Sequence, residues 1–483
     1  MSAAASPGLQ LSPSLRGGRK FRLVPHFEED SQVIAFAQTV PGKLTLLAVF
    51  GLSLSLLDDR WPLQLGLVSC ATFLPRTRRL LVTIGTLLVT DFFWFEHGTL
   101  SLVTVHSATR FPRVQEFLWI VVPFVFFCAG LMLWSVKYPK SLAGQRPLLT
   151  LMAICAVLAL VGCYAPLTGF PRFAIWAFLG TFCLYVWFLA YAMSDCAKPG
   201  GDNLLYQAGT FHPFWGSTTV PLPKGASHWR KIEAKTPEDL AVTMVKGVKL
   251  IIWCLLLSLI RTGYRTLIHE KLLIPAPSYC LQTFQAGKPL SWGLNWLSWP
   301  DDMLLDLLSM SIWGHGLIAT CRMAGFRALR NTYAPLSSRT IAEYWNRYYF
   351  YFKELLVDMF FYPTFIRYFK GNPKLRIFFA TFVAASLGNT LFHFLSSLHV
   401  AVSFGLMATI RGYENYFFYS VLLALGIGLS QIRTRERLAS PGWFREKIVA
   451  PACVLGFYCF LHVFSLSSPG TGLRYLGFLL RGK

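Results

Sequence analysis

Three uninterrupted apolar runs limit what this chain can become. Residues 115–136 (QEFLWIVVPFVFFCAGLMLWSV), 171–193 and 375–398 are each long enough to cross a hydrocarbon core of about 30 Å as a helix. In lipid, backbone N–H and C=O groups must be satisfied within helices or a closed barrel. The runs are too continuous for the in-out alternation of barrel strands. The expected fold is therefore an all-α polytopic membrane protein. The chain is 54% hydrophobic and 14% charged, against about 25% charged residues in soluble domains.

Charge then gives direction. The net charge of +22 falls between the apolar runs and not on one soluble domain, which argues against nucleic acid as a partner and for the lysine and arginine excess of cytoplasmic loops. Arg76, Arg78 and Arg79, then Lys137, Lys140 and Arg146, then Lys198, Lys224, Arg230, Lys231 and Lys235 occupy one set of loops. The alternate loops hold Arg60, Arg110, Arg113 and Arg172. This asymmetry places the N-terminus in the cytoplasm. The basic stretch Arg16–Arg22 is followed by Phe27-Glu28-Glu29-Asp30 and not by an apolar run, so no signal peptide is read. Most of the 11 cysteines sit in apolar runs and no CxxC occurs, so neither a metal site nor a disulfide framework is expected.

Spans are expected at 40–57, 61–75, 79–95, 115–136, 147–165, 171–193, 247–262, 301–320, 375–398, 400–432 as one or two helices, and 447–465, about 11 in all. The chain divides into a flexible basic tail (1–39), N-terminal membrane helices (40–193), a polar cytoplasmic loop (194–246), a C-terminal core (247–465) and a basic C-terminal tail (466–483). Residues 263–300 are amphipathic and Pro-rich and suit a re-entrant or interfacial piece. The long loop holds His212-Pro213-Phe214-Trp215 and Ser227-His228-Trp229-Arg230, and its tryptophans are expected at the lipid headgroups.

The candidate chemistry lies in 338–399. Ile341, Tyr344, Tyr348, Tyr351 and Leu355 recur at spacings of three and four, one aromatic face of a helix. An interfacial amphipathic helix accounts for that pattern without chemistry. Against this, Trp345, Asn346 and Arg347 cluster donors beyond what an interfacial helix needs. His393 lies alone in an apolar run, with Asn389 four residues earlier on the same helical face. An apolar setting favours the neutral imidazole, which is then free to accept a proton; a structural histidine bonded across helices is the competing reading. His315, between Gly314 and Gly316 and nine residues after Asp306, is a second intramembrane imidazole and a candidate for lining a substrate path. His399 and His97 fall at span ends and are read as structural.

The segment Arg322–Phe394 resembles the signature region of the membrane-bound O-acyltransferase (MBOAT) family, in particular its bacterial branch that acylates alginate and D-alanylates teichoic acid. The matching pieces are Ala324-Gly325-Phe326 with Asn331 and Tyr333-Ala334-Pro335, then Ser338–Arg347 (SRTIAEYWNR), then Lys353–Asp358 to Tyr362-Pro363, then Leu387–His393. Tyr349 stands where most of that branch has a histidine, and Phe392 stands where it has a tryptophan. The resemblance implies an MBOAT-like bundle with re-entrant or interfacial helices, in a bacterial inner membrane. It implies transfer of an acyl group from a thioester, on coenzyme A or an acyl carrier protein, to a hydroxyl of a polysaccharide, lipid or small molecule. His393 would be the general base and Asn389 would orient its ring. Trp345, Asn346, Arg347, Tyr349 and His315 would contact the substrates, with no metal or resident cofactor. Membrane lipids, the carrier protein and accessory cell-envelope proteins are the implied partners. Tyr349 keeps open a second reading, a non-catalytic or transport-type relative that binds acyl groups or lipids.

Overall fold

The computed structural model describes residues 24–96, 117–216, 221–222, 224–434 and 442–482. His97 and the tail before residue 24 lie outside the described residues. Those that are described form helices and irregular connections without a strand; one isolated bridge joins Glu233 and Phe326. Among the described residues, eight helices are long and apolar enough to cross a membrane, or nine if a bent pair counts as one span. The chain is thus a multi-pass, all-α membrane protein.

The bent pair is α1 (Ser31–Gln38) and α2 (Val40–Ser55), which meet at 97°. Next come α3 (Trp61–Phe73) and α4 (Arg78–Glu96). The spans proper are α5 (Leu118–Lys137), α6 (Pro147–Tyr164) and α7 (Gly169–Cys196). After α8 (Ala226–Ile232), the spans α9 (Pro237–Lys271) and α10 (Trp292–Met323) follow. A broken passage, α11 (Ile341–Tyr348) and α12 (Phe350–Leu356), leads to the spans α13 (Pro373–Ser396), α14 (Leu406–Arg433) and α15 (Arg445–Leu466), and to a closing helix α16 (Pro469–Arg481).

Two expected spans do not qualify. With 13 residues, α3 reaches only about 20 Å at about 1.5 Å per residue. The 19 residues of α4 include Arg78, Arg79, Asp91 and Glu96. The stretch 400–432 resolves into a short helix Ala401–Phe404 and α14, separated at Gly405, whose φ of +78° suits glycine.

Both expected tails contain helices. Asp30 caps α1, accepting from Gln32 N at 2.9 Å, while Ile34 and Ala37 bury against Ala241 and Val245 of α9. Glu28 pairs with Lys249 of α9 at 3.0 Å, and both are buried. An amphipathic stretch with a cap and a docking face is ordered despite its polar neighbours. At the other end, Tyr475, Phe478 and Leu479 of α16 bury against Leu281 and Phe464. The indoles of Trp292 and Trp296 both donate to Leu479 O, at 2.7 and 2.8 Å.

The polar loop is tied down as well. Arg79 reaches Asp202 at 2.8 Å, and Arg78 reaches Glu233 and donates to Ala234 O at 3.0 Å. Gln207 donates to Asp195 at 2.6 Å and accepts from Ala226 N at 3.0 Å. Trp215 and Trp229 are not headgroup anchors: they are 4% and 5% exposed and pack on Phe326, each at 5.4 Å. The ring of Phe326, just beyond the end of α10, gives them an apolar wall that outcompetes the interface.

Candidate functional site

The passage 329–356 breaks its helices inside the bundle, and hydrogen bonds hold the backbone at the break. Thr340 caps α11, accepting from Glu343 N at 3.0 Å, and Glu343 accepts from Arg339 N at 2.8 Å, close to a capping box. At Tyr349 the chain leaves helical geometry (φ −143°, ψ 72°) before α12 begins. Residues 331–333 run alongside the break. Tyr333 N donates to Arg347 O at 2.8 Å, Thr332 Oγ1 to Tyr348 O at 2.9 Å and Phe350 N to Asn331 O at 2.9 Å. Asn331 Oδ1 also accepts from Tyr351 N at 3.2 Å. Non-helical backbone survives at membrane depth when protein satisfies it in this way.

From the other side comes α13, whose Ala384–Gly388 turn is π-helical. Such single wide turns inside α-helices recur at functional sites. A Cβ at Gly388 would lie 2.7 Å from Phe360 Cδ2, so glycine allows the 357–361 segment to pack directly on this turn. One turn later the His393 ring enters a pocket of aromatic rings. Its neighbours are Tyr416 of α14 at 4.8 Å, Phe392 at 5.3 Å and Phe352 of α12 at 5.9 Å. Neither ring nitrogen has a hydrogen-bond partner among the described residues. The carbonyl of His393 accepts from Tyr413 Oη at 2.8 Å and Ser396 Oγ at 2.7 Å.

The other expected residues divide. Asn389 is buried, but it does not bond to the imidazole. Its amide donates to Ser420 Oγ and its oxygen accepts from Tyr416 Oη, both at 3.3 Å. Any hold on His393 therefore runs through the Tyr416 ring. Tyr349 is 7% exposed, its hydroxyl is buried without a partner, and its ring packs on Phe352 at 5.1 Å. Trp345 also touches Phe352, at 6.1 Å. Phe352 is thus the shared wall between Tyr349, Trp345 and His393.

Arg347 and Asn346 are elsewhere. Arg347 pairs with Glu343 at 2.6 Å and donates to Ser337 Oγ at 2.7 Å, and Asn346 is exposed. Helical spacing explains it: Glu343 lies one turn before Arg347, a ready partner on the outward face. His315 is buried on α10, where Nδ1–H donates to Ser311 O at 2.6 Å. That local bond leaves only Nε2 for other work, and no ring contact joins His315 to His393. Sequence reasoning missed Tyr413, Tyr416 and Ser420. Their signal was a stripe of hydroxyls, Tyr413, Tyr416, Tyr419 and Ser420, at helical spacing in an otherwise apolar span.

A half-buried ion network beside the passage ties it to α7 and the polar loop. Tyr191 of α7 donates to Asp358 at 2.7 Å, and Lys224 of the polar loop pairs with the same carboxylate. Close by, His228 is pulled down to about 4, first by burial and then by Lys224 and Lys231, against Asp358 and Glu354. Among the described residues no group of His, Cys, Asp and Glu is placed to hold a metal ion. No protein-family model matches this chain, and no curated protein matches it.

Proposed function

We propose that the chain is a membrane O-acyltransferase, moving an acyl group from a thioester to an acceptor hydroxyl. One observation carries this reading: an imidazole inside the bundle, free at both nitrogens among the described residues, and a buried phenol, Tyr349, equally without a partner on the other side of Phe352. In this reading His393 takes the proton of the acceptor hydroxyl as that oxygen attacks the thioester carbonyl. The C–S bond breaks, and the same proton passes from His393 to the departing thiolate. General-base help of this kind is worth roughly 10²–10⁴-fold in rate. The Tyr349 hydroxyl, a donor with no partner to give up, suits the developing oxyanion. It takes a role the resemblance gives to a histidine, as a donor and not as a base. Tyr416, held by Asn389, sets the face that His393 presents.

Coenzyme A or a carrier protein is the proposed donor carrier, and the bacterial inner membrane with a cytoplasmic N-terminus is the proposed setting. The lysines and arginines of the polar loop, together with Arg78 and Arg79 paired to Glu233 and Asp202 of that loop, support that orientation. The test is to give membranes radiolabelled acetyl-CoA or palmitoyl-CoA and count hydroxylamine-labile label in lipid, polysaccharide and soluble fractions. Ester label is expected with the wild type and not with His393→Ala at equal protein level. Equal label from both overturns the reading. Label that is bound but never transferred by the wild type favours the non-catalytic alternative.

A further inference from the structure

Acyl transfer by His393 leaves Asp306 without a task. This carboxylate sits near the middle of the 32-residue helix α10. It has no hydrogen bond or ion pair among the described residues, and it stays exposed while Met303 and Leu307 beside it are buried against Tyr344 and Tyr458. Carboxylates at such depth are ordinarily paired or line a path.

Polar groups approach it from α9, α15, the broken passage and α14. Asp302, one turn earlier, holds His462 of α15 at 3.4 Å. From α9, Arg261 faces the same region with its Nε buried and unpartnered. From the passage and α14, Tyr344, Tyr348 and Tyr419 pack in one cluster with Met303 and Leu307, the α10 residues on either side of Asp306. Tyr344 is 2% exposed, stacks on Tyr348 at 5.4 Å and meets Tyr458 at 4.0 Å, and its hydroxyl has no partner among the described residues. Tyr419 lies 5.5 Å from Tyr416, which lies 4.8 Å from His393. A file of phenols therefore connects Asp306 to the proposed base.

We infer that Asp306, with the hydroxyls of Tyr344, Tyr348 and Tyr419, binds the hydroxyl acceptor, and that this acceptor is an uncharged polyol. The inference rests on the acyl-transfer reading of His393. A carboxylate accepts only, and two adjacent hydroxyls match its two oxygens. Tyrosine faces take the C–H surface of a ring or chain, and their hydroxyls serve the remaining polar groups. A polyanionic acceptor would have to bring like charge against both Asp306 and Asp302.

The polyol can arrive from water as a sugar chain or from the bilayer as a glycerol headgroup. Binding by the purified full chain in detergent separates these, with cellotetraose and monooctanoylglycerol as neutral probes and tetragalacturonate as the polyanion. One neutral probe is expected to bind, and its identity names the source. Asp306→Asn should weaken it at least about tenfold, and Tyr344→Phe, which removes only a hydroxyl, should weaken it less. Tetragalacturonate should bind more weakly than the neutral probe and gain when Asp306→Asn is introduced. Binding unchanged in both variants, equal affinity for tetragalacturonate, or no binding of either neutral probe overturns the inference. In His393→Ala, adding Asp306→Asn should still weaken binding of the neutral probe. Transfer lost from that variant, with Asp306-dependent binding kept, therefore bears on the catalytic reading and not on the polyol site.

Discussion

Around α7 the aromatic rings are mainly Phe and Trp, with Tyr185 among them. Phe124, Phe127, Phe178 and Phe182 meet at 5.4 to 6.2 Å, and Trp176 lies 3.1 Å from where a Cβ on Gly162 would be. At the His393 end of α13, Phe352, Phe392 and Phe394 share the space with Tyr344, Tyr348, Tyr349, Tyr413, Tyr416 and Tyr419. In α7, 78% of the apolar stretch is buried, against 39% in α13. The first region uses rings as volume. The second keeps hydroxyls, a wide helical turn and a broken passage, features that weaken packing and are useful only if something polar is handled there.

The sharpest test of that contrast is His393→Ala. It should lower ester formation roughly 10²–10⁴-fold and leave thermal unfolding of the purified chain unchanged. A large loss of stability would return His393 to the packing class. Trp176→Ala should do the reverse, costing about 3–5 kcal/mol of stability by denaturant titration while the surviving folded fraction keeps its specific activity. Gly388→Leu lies between the two. Its Cβ would lie 2.7 Å from Phe360, so both stability, by about 1–3 kcal/mol, and transfer should fall; unchanged transfer would detach the π-turn from the site.

A smaller effect belongs to Tyr416→Phe, which removes the donor to Asn389 and keeps the ring against His393. Transfer should drop about fivefold, or about 1 kcal/mol, through kcat and not KM. The smallest concerns pH. His228, outside the spans, is drawn below its ordinary 6.5 to about 4 by burial and then by Lys224 and Lys231. The unfolded chain therefore binds that proton first, so its contribution is complete above about 6.5 and is lost as pH falls toward 4. The melting temperature should decline by a few degrees across that window, and His228→Gln should flatten the decline. An equal slope in both would remove His228 as its source.

Much of this was written in the chain before folding. Apolar runs of the right length gave eight of the expected spans and the bent ninth, because a lipid span is a local property. His393 was legible for the same reason, as one imidazole among apolar neighbours. What local pattern could not supply was partnership. Asn389 and His393 share a helical face, yet Asn389 turns to Ser420 and Tyr416, 31 and 27 residues further on. Arg347 looked available until Glu343 and Ser337 took it. The polar loop read as a surface mat because nothing in its own residues announces Phe326, more than a hundred positions later. At α4, Arg78 and Arg79 could be read only as loop charge, because their partners Asp202 and Glu233 lie more than a hundred positions away.

The ion pair that fastens the N-terminal segment sets a schedule for making the protein. Glu28 and Lys249 are separated by 221 residues. At about 5–20 residues per second of synthesis, the carboxylate waits on the order of 10–40 s after its own emergence before its lysine exists. During that interval α1 lacks the α9 half of its docking face, and Leu46 of α2 is the neighbour already made that can cover Ile34 and Ala37. A ribosome slowed between these two codons would lengthen the exposure without changing any residue of the finished bundle.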